Sequence, residues 1–280
     1  MFSKFKYLII LASFILVISC GNKEKKISEI TEVDIELQMS NAYKEGYLEF
    51  ENGDAISAAK KFNQAELLFP QSPWAAKSAL MASYVYYSQG YYSDAIYELE
   101  RYLTTYPNHK DKPYAHFLLG MTYYETIVDE KKDLRSILDA KRQFKILIKE
   151  YPSTEFAVDA KFKIDLITEI QAGKEMYLAK YYLDKSKWIP ALNRYKKVVN
   201  EYSTTIYAEE ALHRLVEINY RLGLINESKK YASILGYNYQ SSDWYKSTYK
   251  IFNKKYRDGI KELQKDKKKG LIKKFKGLFE

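Results

Sequence analysis

The stretch from Glu150 to Ala160 reads E-Y-P-S-T-E-F-A-V-D-A, and its grammar recurs along the chain. An aromatic and Pro152 close one apolar run, Ser153 and Thr154 follow, and Phe156 precedes an alanine. Leu68 to Ala76 reads L-F-P-Q-S-P-W-A-A, and Thr105 to Ala115 reads T-Y-P-N-H-K-D-K-P-Y-A. Glu201 to Glu209 reads E-Y-S-T-T-I-Y-A-E, with Ser203 in place of the Pro, and Tyr239 to Tyr245 reads Y-Q-S-S-D-W-Y. Taking Pro70, Pro107, Pro152, Ser203 and Gln240 as unit ends gives spacings of 37, 45, 51 and 37 residues. The chain is a repeat of irregular length.

The twelve residues before each stop carry one apolar pattern. It is Ala58, Phe62, Ala65, Phe69 in the first copy and Ala95, Leu99, Tyr102 with Leu103, Tyr106 in the second. The third has Ala140, Phe144, Leu147 with Ile148, Tyr151, and the fourth Ala191, Tyr195, Val198 with Val199, Tyr202. Offsets of this kind mark one stripe of an α-helix. Each stripe opens with Ala, whose methyl group lets a neighbouring helix come close. Pro ends the helix because its ring lacks an N–H and clashes with the preceding turn. Ser72, Ser153 or Thr154, Thr205 and Ser242 are placed to cap the helices that follow.

Upstream of each Ala lies a second helix. Ser83 to Tyr87 is Tyr-rich and stops at Gly90, a residue suited to the left-handed conformation past a helix end. Asn52-Gly53-Asp54 and Leu222-Gly223-Leu224 are comparable turns. One unit is therefore helix, short turn, helix. The positions of Gly46, Ala58, Phe62, Ala65 and Pro70 resemble the tetratricopeptide repeat, a helical hairpin of roughly 34 residues. The expected fold is all-α, a superhelical stack of about five such hairpins. The third carries an insertion of about eight residues in the charged segment Glu125 to Ser136, measured against the consensus interval. With 280 residues and 46% hydrophobic content, the chain is long enough to bury a continuous core. Its 28 tyrosines admit two readings: helix packing with the hydroxyl at the surface, or an aromatic lining for an extended peptide. The second falls on Tyr43, Tyr47, Tyr84, Tyr86, Tyr87, Tyr123 and Tyr124.

At the N-terminus Lys4 and Lys6 precede an uncharged run from Tyr7 to Ser19, short for a membrane span of about 20 residues. The run ends V-I-S-C-G, and its small residues before the chain's one cysteine resemble a bacterial lipoprotein signal. That resemblance implies cleavage before Cys20 and covalent lipid on its thioether and new α-amine. Several acyl chains give lasting attachment where one is marginal. Gly21 follows instead of Asp, and the expected address is the outer membrane, facing the periplasm.

The formal net charge is +9. Without residues 1–19, which hold Lys4 and Lys6, it is +7, and the segment from Lys254 to Glu280 alone carries +7. The body between is close to neutral, so the basic excess sits in a tail and does not indicate a nucleic-acid partner. In the tail Leu271, Ile272, Phe275, Leu278 and Phe279 space as one apolar face among lysines, suited to anionic lipid or a partner. The bland alternative is a solvated tail. His109, His116 and His213 form no H-x-x-x-H pair, and no nucleophile elbow, phosphate loop or cysteine metal framework occurs. The expectation is a scaffold with no cofactor and no metal, not an enzyme.

The signal, the polar lead from Asn22 to Thr31 and five repeats ending near Trp244 and Tyr245 are similar to the BamD family of lipoproteins. The most telling stretch is A-K-Y-Y-L-D-K-S-K-W-I-P-A-L-N-R-Y-K-K-V-V-N-E-Y, Ala179 to Tyr202. It follows a long helical stretch from Thr154 to Lys185. Ser203 and the Lys-rich tail depart from the family pattern. The resemblance implies an outer-membrane scaffold of the machine that assembles β-barrels, with BamA and further subunits as partners. N-terminal repeats (34–150), with Tyr47, Tyr84 and Tyr87, would take the C-terminal segment of unfolded barrel precursors. C-terminal repeats (151–253) would hold the POTRA region of BamA, with Arg194 on a POTRA carboxylate. Before them lie the signal (1–19) and a flexible lead (20–33), and after them the tail (254–280). In its helix Arg194 sits three residues past Ala191, at the edge of the packed stripe, where it equally suits pairing with a neighbour such as Glu201. The rival reading in another class is a periplasmic repeat adaptor for cell-wall synthesis or division. A third, a glycan-cleaving enzyme, needs a catalytic carboxylate in a cleft that no residue pattern specifies.

Overall fold

A computed structural model describes residues 32–127 and 135–253. The signal with Cys20, most of the lead, residues 128–134 of the charged insertion and the basic tail lie outside the described residues. Among those described the regular structure is helical, with no strand. Helices α1 (Glu32–Glu51) and α2 (Ala55–Leu68) are followed by α3 (Pro73–Ser88) and α4 (Tyr92–Thr105). Next come α5 (Lys112–Glu125) with α6 (Arg135–Glu150), and α7 (Glu155–Asp184) with α8 (Trp188–Glu201). The series ends with α9 (Ala208–Arg221), α10 (Ile225–Asn238) and a closing α11 (Asp243–Phe252). Helical hairpins in series make this a helical-repeat stack, divided within α3 into a compact unit ending at Ala79 and another beginning at Leu80.

In the first unit α1 and α2 pack as a hairpin. Ala58, Phe62 and Ala65 are fully buried, as the stripe requires. Met39 and Ala42 of α1 join Ala65 in the core, with Tyr43, Leu68 and Phe69 against them. A Cβ at Gly46 would stand 3.1 Å from the Phe62 ring and 3.2 Å from the Ala58 carbonyl, so the missing side chain is what lets the two helices approach. The turn closes on Asp54, whose carboxylate accepts from the Ser57 N–H at 2.9 Å. Ser72 accepts from the Trp74 N–H at 3.1 Å and starts α3.

In the second unit the same stripe holds. Ala95, Leu99, Tyr102, Ala140, Phe144, Leu147, Ala191 and Val198 are fully buried, and Tyr195 nearly so. α5, α6 and α7 share a core of Ile137, Ala140, Phe144, Leu147, Ala160 and Ile167. α7, α8 and α9 share another, built on Met176, Ala179, Ala191, Leu192, Tyr195, Val198, Ala211, Leu215 and Ile218. The 51-residue spacing comes from α7, 30 residues long where α8 has 14. In the last hairpin Ser228 replaces the close-contact Ala and is fully buried, its hydroxyl donating to the Val216 carbonyl at 2.9 Å. Thr154 and Ser242 cap α7 and α11 as expected. Thr205 does not cap α9: its hydroxyl donates back to the Tyr202 carbonyl, and the helix starts three residues later with no side-chain cap.

Candidate functional site

In the first unit the packing of α1 against α2 sets Tyr43 edge-on to Phe62, ring centroids 5.1 Å apart. The Ser72 cap and Pro73 at the helix start bring Trp74 to the other side of Tyr43, at 5.4 Å. The Lys77 ammonium lies 4.5 Å from the Trp74 ring centre and 5.6 Å from that of Tyr43, a cation–π arrangement. These groups line an open cleft of about 500 Å³ with Glu36, Met39, Ser40 and Lys44. The packed Tyr43–Trp74 pair and Met39 give the cleft an apolar surface that suits an apolar or aromatic side chain laid against it, and the two lysines favour a nearby carboxylate. Burial, then the neighbouring Tyr47, raises the Tyr43 phenol above its usual range. Tyr47 is one turn along α1 and about half exposed. Trp74 stands in L-F-P-Q-S-P-W-A-A with nothing in the sequence to mark it as a site residue. The Ser-Pro start fixes its backbone.

The second unit holds Tyr84 and Tyr87, both partly buried in α3. Burial, followed by the charge of Glu125 and then Tyr92 and Tyr84, raises the Tyr87 phenol. Tyr114 of α5 is pushed up to about 12 by burial, then by Tyr84 and Tyr87, which places these three rings in one neighbourhood.

Arg194 is on α8, where Pro190 occupies the first turn and Ala191, Tyr195 and Val198 face the core. Its Nη1 donates to Glu175 Oε2 of α7 at 2.9 Å, and Lys197 Nζ donates to Glu175 Oε1 at 2.8 Å. The Glu175 side chain is 8% exposed, those of Arg194 and Lys197 37% and 36%. Burial pushes the Glu175 carboxyl up, but the hydrogen bonds and charges of Lys197 and Arg194 outweigh it and hold the group below the usual carboxylate range. The same hydrogen bond raises the Arg194 guanidinium. Two cations on one carboxylate leave a surplus positive charge at a half-exposed lip, an arrangement that accepts a further carboxylate. The neighbour paired with Arg194 is thus Glu175 of the preceding helix, not Glu201. Glu175 and Lys197 carried no sequence signal, since their meeting depends on how α7 and α8 register.

With that geometry in view, the kinship of the chain is clear. Residues 35–235 match the family YfiO, described as outer membrane lipoprotein. The chain is 35% identical over 244 residues to the outer membrane protein assembly factor BamD of Rickettsia prowazekii, covering 86% of this chain and 96% of the relative. It is 33% identical over 237 residues to that of Caulobacter vibrioides, covering 85% and 77%. The chain belongs to the YfiO/BamD family. Among solved structures, a tetratricopeptide repeat protein from Parabacteroides merdae aligns with a TM-score of 0.34 and 13% identity, covering 82% of this chain and 80% of that one.

The BamD-family match spans both the Trp74 cleft and the Glu175–Arg194–Lys197 triad. Among the described residues of this BamD-family chain no helix is long and apolar enough to cross a membrane. No group of three or more His, Cys, Asp or Glu is placed there to hold a metal ion.

Proposed function

We propose that this chain is a lipid-anchored scaffold of outer membrane protein assembly, held at the periplasmic face of the outer membrane by acyl groups on Cys20. Its C-terminal repeats hold the POTRA region of BamA, and a POTRA carboxylate joins Arg194 and Lys197 on the exposed side of Glu175. Its N-terminal repeats take the C-terminal segments of unfolded barrel precursors. Tyr47 and the Tyr43–Trp74 cleft contribute aromatic surface from the first unit, and Tyr84 and Tyr87 from the second. The chemistry asked of these groups is modest: a charge-assisted hydrogen bond in one case, apolar contact with a flanking cation in the other.

The observation that carries this reading is that the kinship with assembly factors runs through residues 35–235 and so includes both sites. The test is affinity purification of the lipidated protein from detergent-solubilised membranes. Recovery of a β-barrel protein bearing POTRA domains is the expected result. Recovery of cell-wall synthesis or division proteins in its place would overturn the proposal.

A further inference from the structure

Helix α6 buries Ile137, Ala140, Phe144 and Leu147 on one side. Its other side carries Leu138, Lys141, Arg142, Lys145, Ile146 and Lys149, which with Glu150 line a furrow of about 370 Å³. Leu138 is 55% exposed, and Lys141, Arg142 and Lys145 follow it on the same face within two turns. Among the described residues the compensation of those charges is incomplete. Arg142 pairs with Asp139 at 2.9 Å, but Lys141 donates to the neutral Gln171 at 2.7 Å. Lys145 and Lys149 are exposed. Burial, and then the charge of Lys145, holds the Lys141 ammonium below its usual range. Among the described residues four cations thus face two carboxylates, Asp139 and Glu150, around the apolar Leu138 and Ile146.

We propose that this furrow is a docking site for an acidic amphipathic helix of a partner protein, separate from the Arg194 triad and from the aromatic cleft. Lys141, Lys145 and Lys149 stand one helical turn apart, about 6 Å at 1.5 Å per residue. Carboxylates at i, i+4 and i+8 of a partner helix have the same pitch and meet the three ammonium groups in register. An apolar residue between them covers the floor formed by Leu138, Ile146 and the lysine stems. A partner helix holds its carboxylates at a fixed pitch that matches the three lysines, whereas the headgroups of an anionic bilayer have no such register, so the spacing favours a helix over a membrane.

The test uses the full-length protein in detergent with photoreactive benzoylphenylalanine at position 138. The probe is an Ala-rich peptide of about 15 residues, the length at which an isolated helix becomes marginal, bearing Glu at i, i+4 and i+8 with one Leu between. Illumination is expected to join peptide to position 138, and adducts are expected to fall at least about tenfold when Lys145→Glu and Lys149→Glu are combined, since like charges then oppose. Both lysines are exposed, so the thermal melt of the variant is expected to match that of the parent. Reading adducts at position 138 separates the furrow from the basic tail. Equal adducts in the charge-reversed protein, or equal adducts with a Gln-for-Glu peptide, would overturn the proposal. So would phosphatidylglycerol vesicles labelling position 138 and displacing the peptide, which would assign the furrow to a membrane.

Discussion

Gly120→Ala tests the closest approach in the repeat core. A Cβ at position 120 on α5 would stand 2.6 Å from Phe144 Cε1 and 3.0 Å from both Cδ1 and Cζ. Carbon atoms prefer about 3.5–4.0 Å, so the overlap is on the order of 1 Å. Phe144 cannot swing away, because it is fully buried among Ile137, Ala140, Leu147 and Ile167 and packs against Phe117 with centroids 6.2 Å apart. Overpacking of this kind costs about 1–3 kcal/mol, and the better helix propensity of Ala returns about 1 kcal/mol. The net expectation is a loss of up to about 2 kcal/mol, or a melting temperature lower by up to roughly 8 °C for a chain of this size. Thermal unfolding followed by circular dichroism reads it directly. Adding Phe144→Leu separates the cause: the double variant is expected to lose less than the sum of the single losses, because the ring that clashes is gone. A melting temperature that rises in Gly120→Ala, by the amount helix propensity alone provides, would show that the ring does not press on this position.

Ser186, with φ 56°, takes the left-handed place in its turn that Gly53, Gly90 and Gly223 take in theirs. Ser186→Gly is expected to stabilise by about 0.5–1 kcal/mol, the relief of left-handed strain less the entropy of the freer chain; a lower melting temperature would refute it. His116 and His213 are both held below the ordinary value of 6.5, chiefly by burial. The unfolded chain therefore takes up protons first, so stability is full above about pH 6.5 and falls as the pH drops below it. A denaturation series from pH 7.5 to 5.5 checks this, and His116→Asn with His213→Asn is expected to flatten the slope. Glu175→Gln is expected to cost about 1–3 kcal/mol, below the usual range for a broken buried pair because both cations are partly solvated. An unchanged melt would show that the triad adds nothing to the fold.

The stripe residues were legible because a helical period written in Ala, aromatic and Leu leaves one burial solution, and Ala58, Ala95, Ala140 and Ala191 are all fully buried. The long helix was legible too, since no Pro or left-handed turn interrupts Thr154 to Lys185. Thr205 was misjudged because the connection it sits in runs six residues, 202–207, where the one before α7 runs four, so α9 begins at Ala208, out of reach of the Thr205 side chain as a cap. The sites were harder to read. Arg194 stood out by its family resemblance, but its partner Glu175 lies 19 residues earlier on another helix, and nothing local singles it out among the carboxylates of α7. Trp74 acquires meaning only when α1 places Tyr43 beside it. The α6 furrow was hidden for the opposite reason: its lysines look like any solvated helix face until the exposed Leu138 is seen among them.

Of the proposed contacts, that between the triad and BamA is the most open to direct test. Arg194→Glu is a poor probe, since it would set a second carboxylate against Glu175, and Arg194→Gln removes the charge without that repulsion. The decisive measurement is the amount of BamA recovered with tagged, lipidated Arg194→Gln protein from detergent-solubilised membranes, beside a thermal melt of the same preparation. The expected result is at least about a tenfold loss of BamA, the consequence of truncating one partner of a charge pair that docking would desolvate, with a melting temperature lowered by no more than a few degrees. Full recovery of BamA with the variant folded would contradict it.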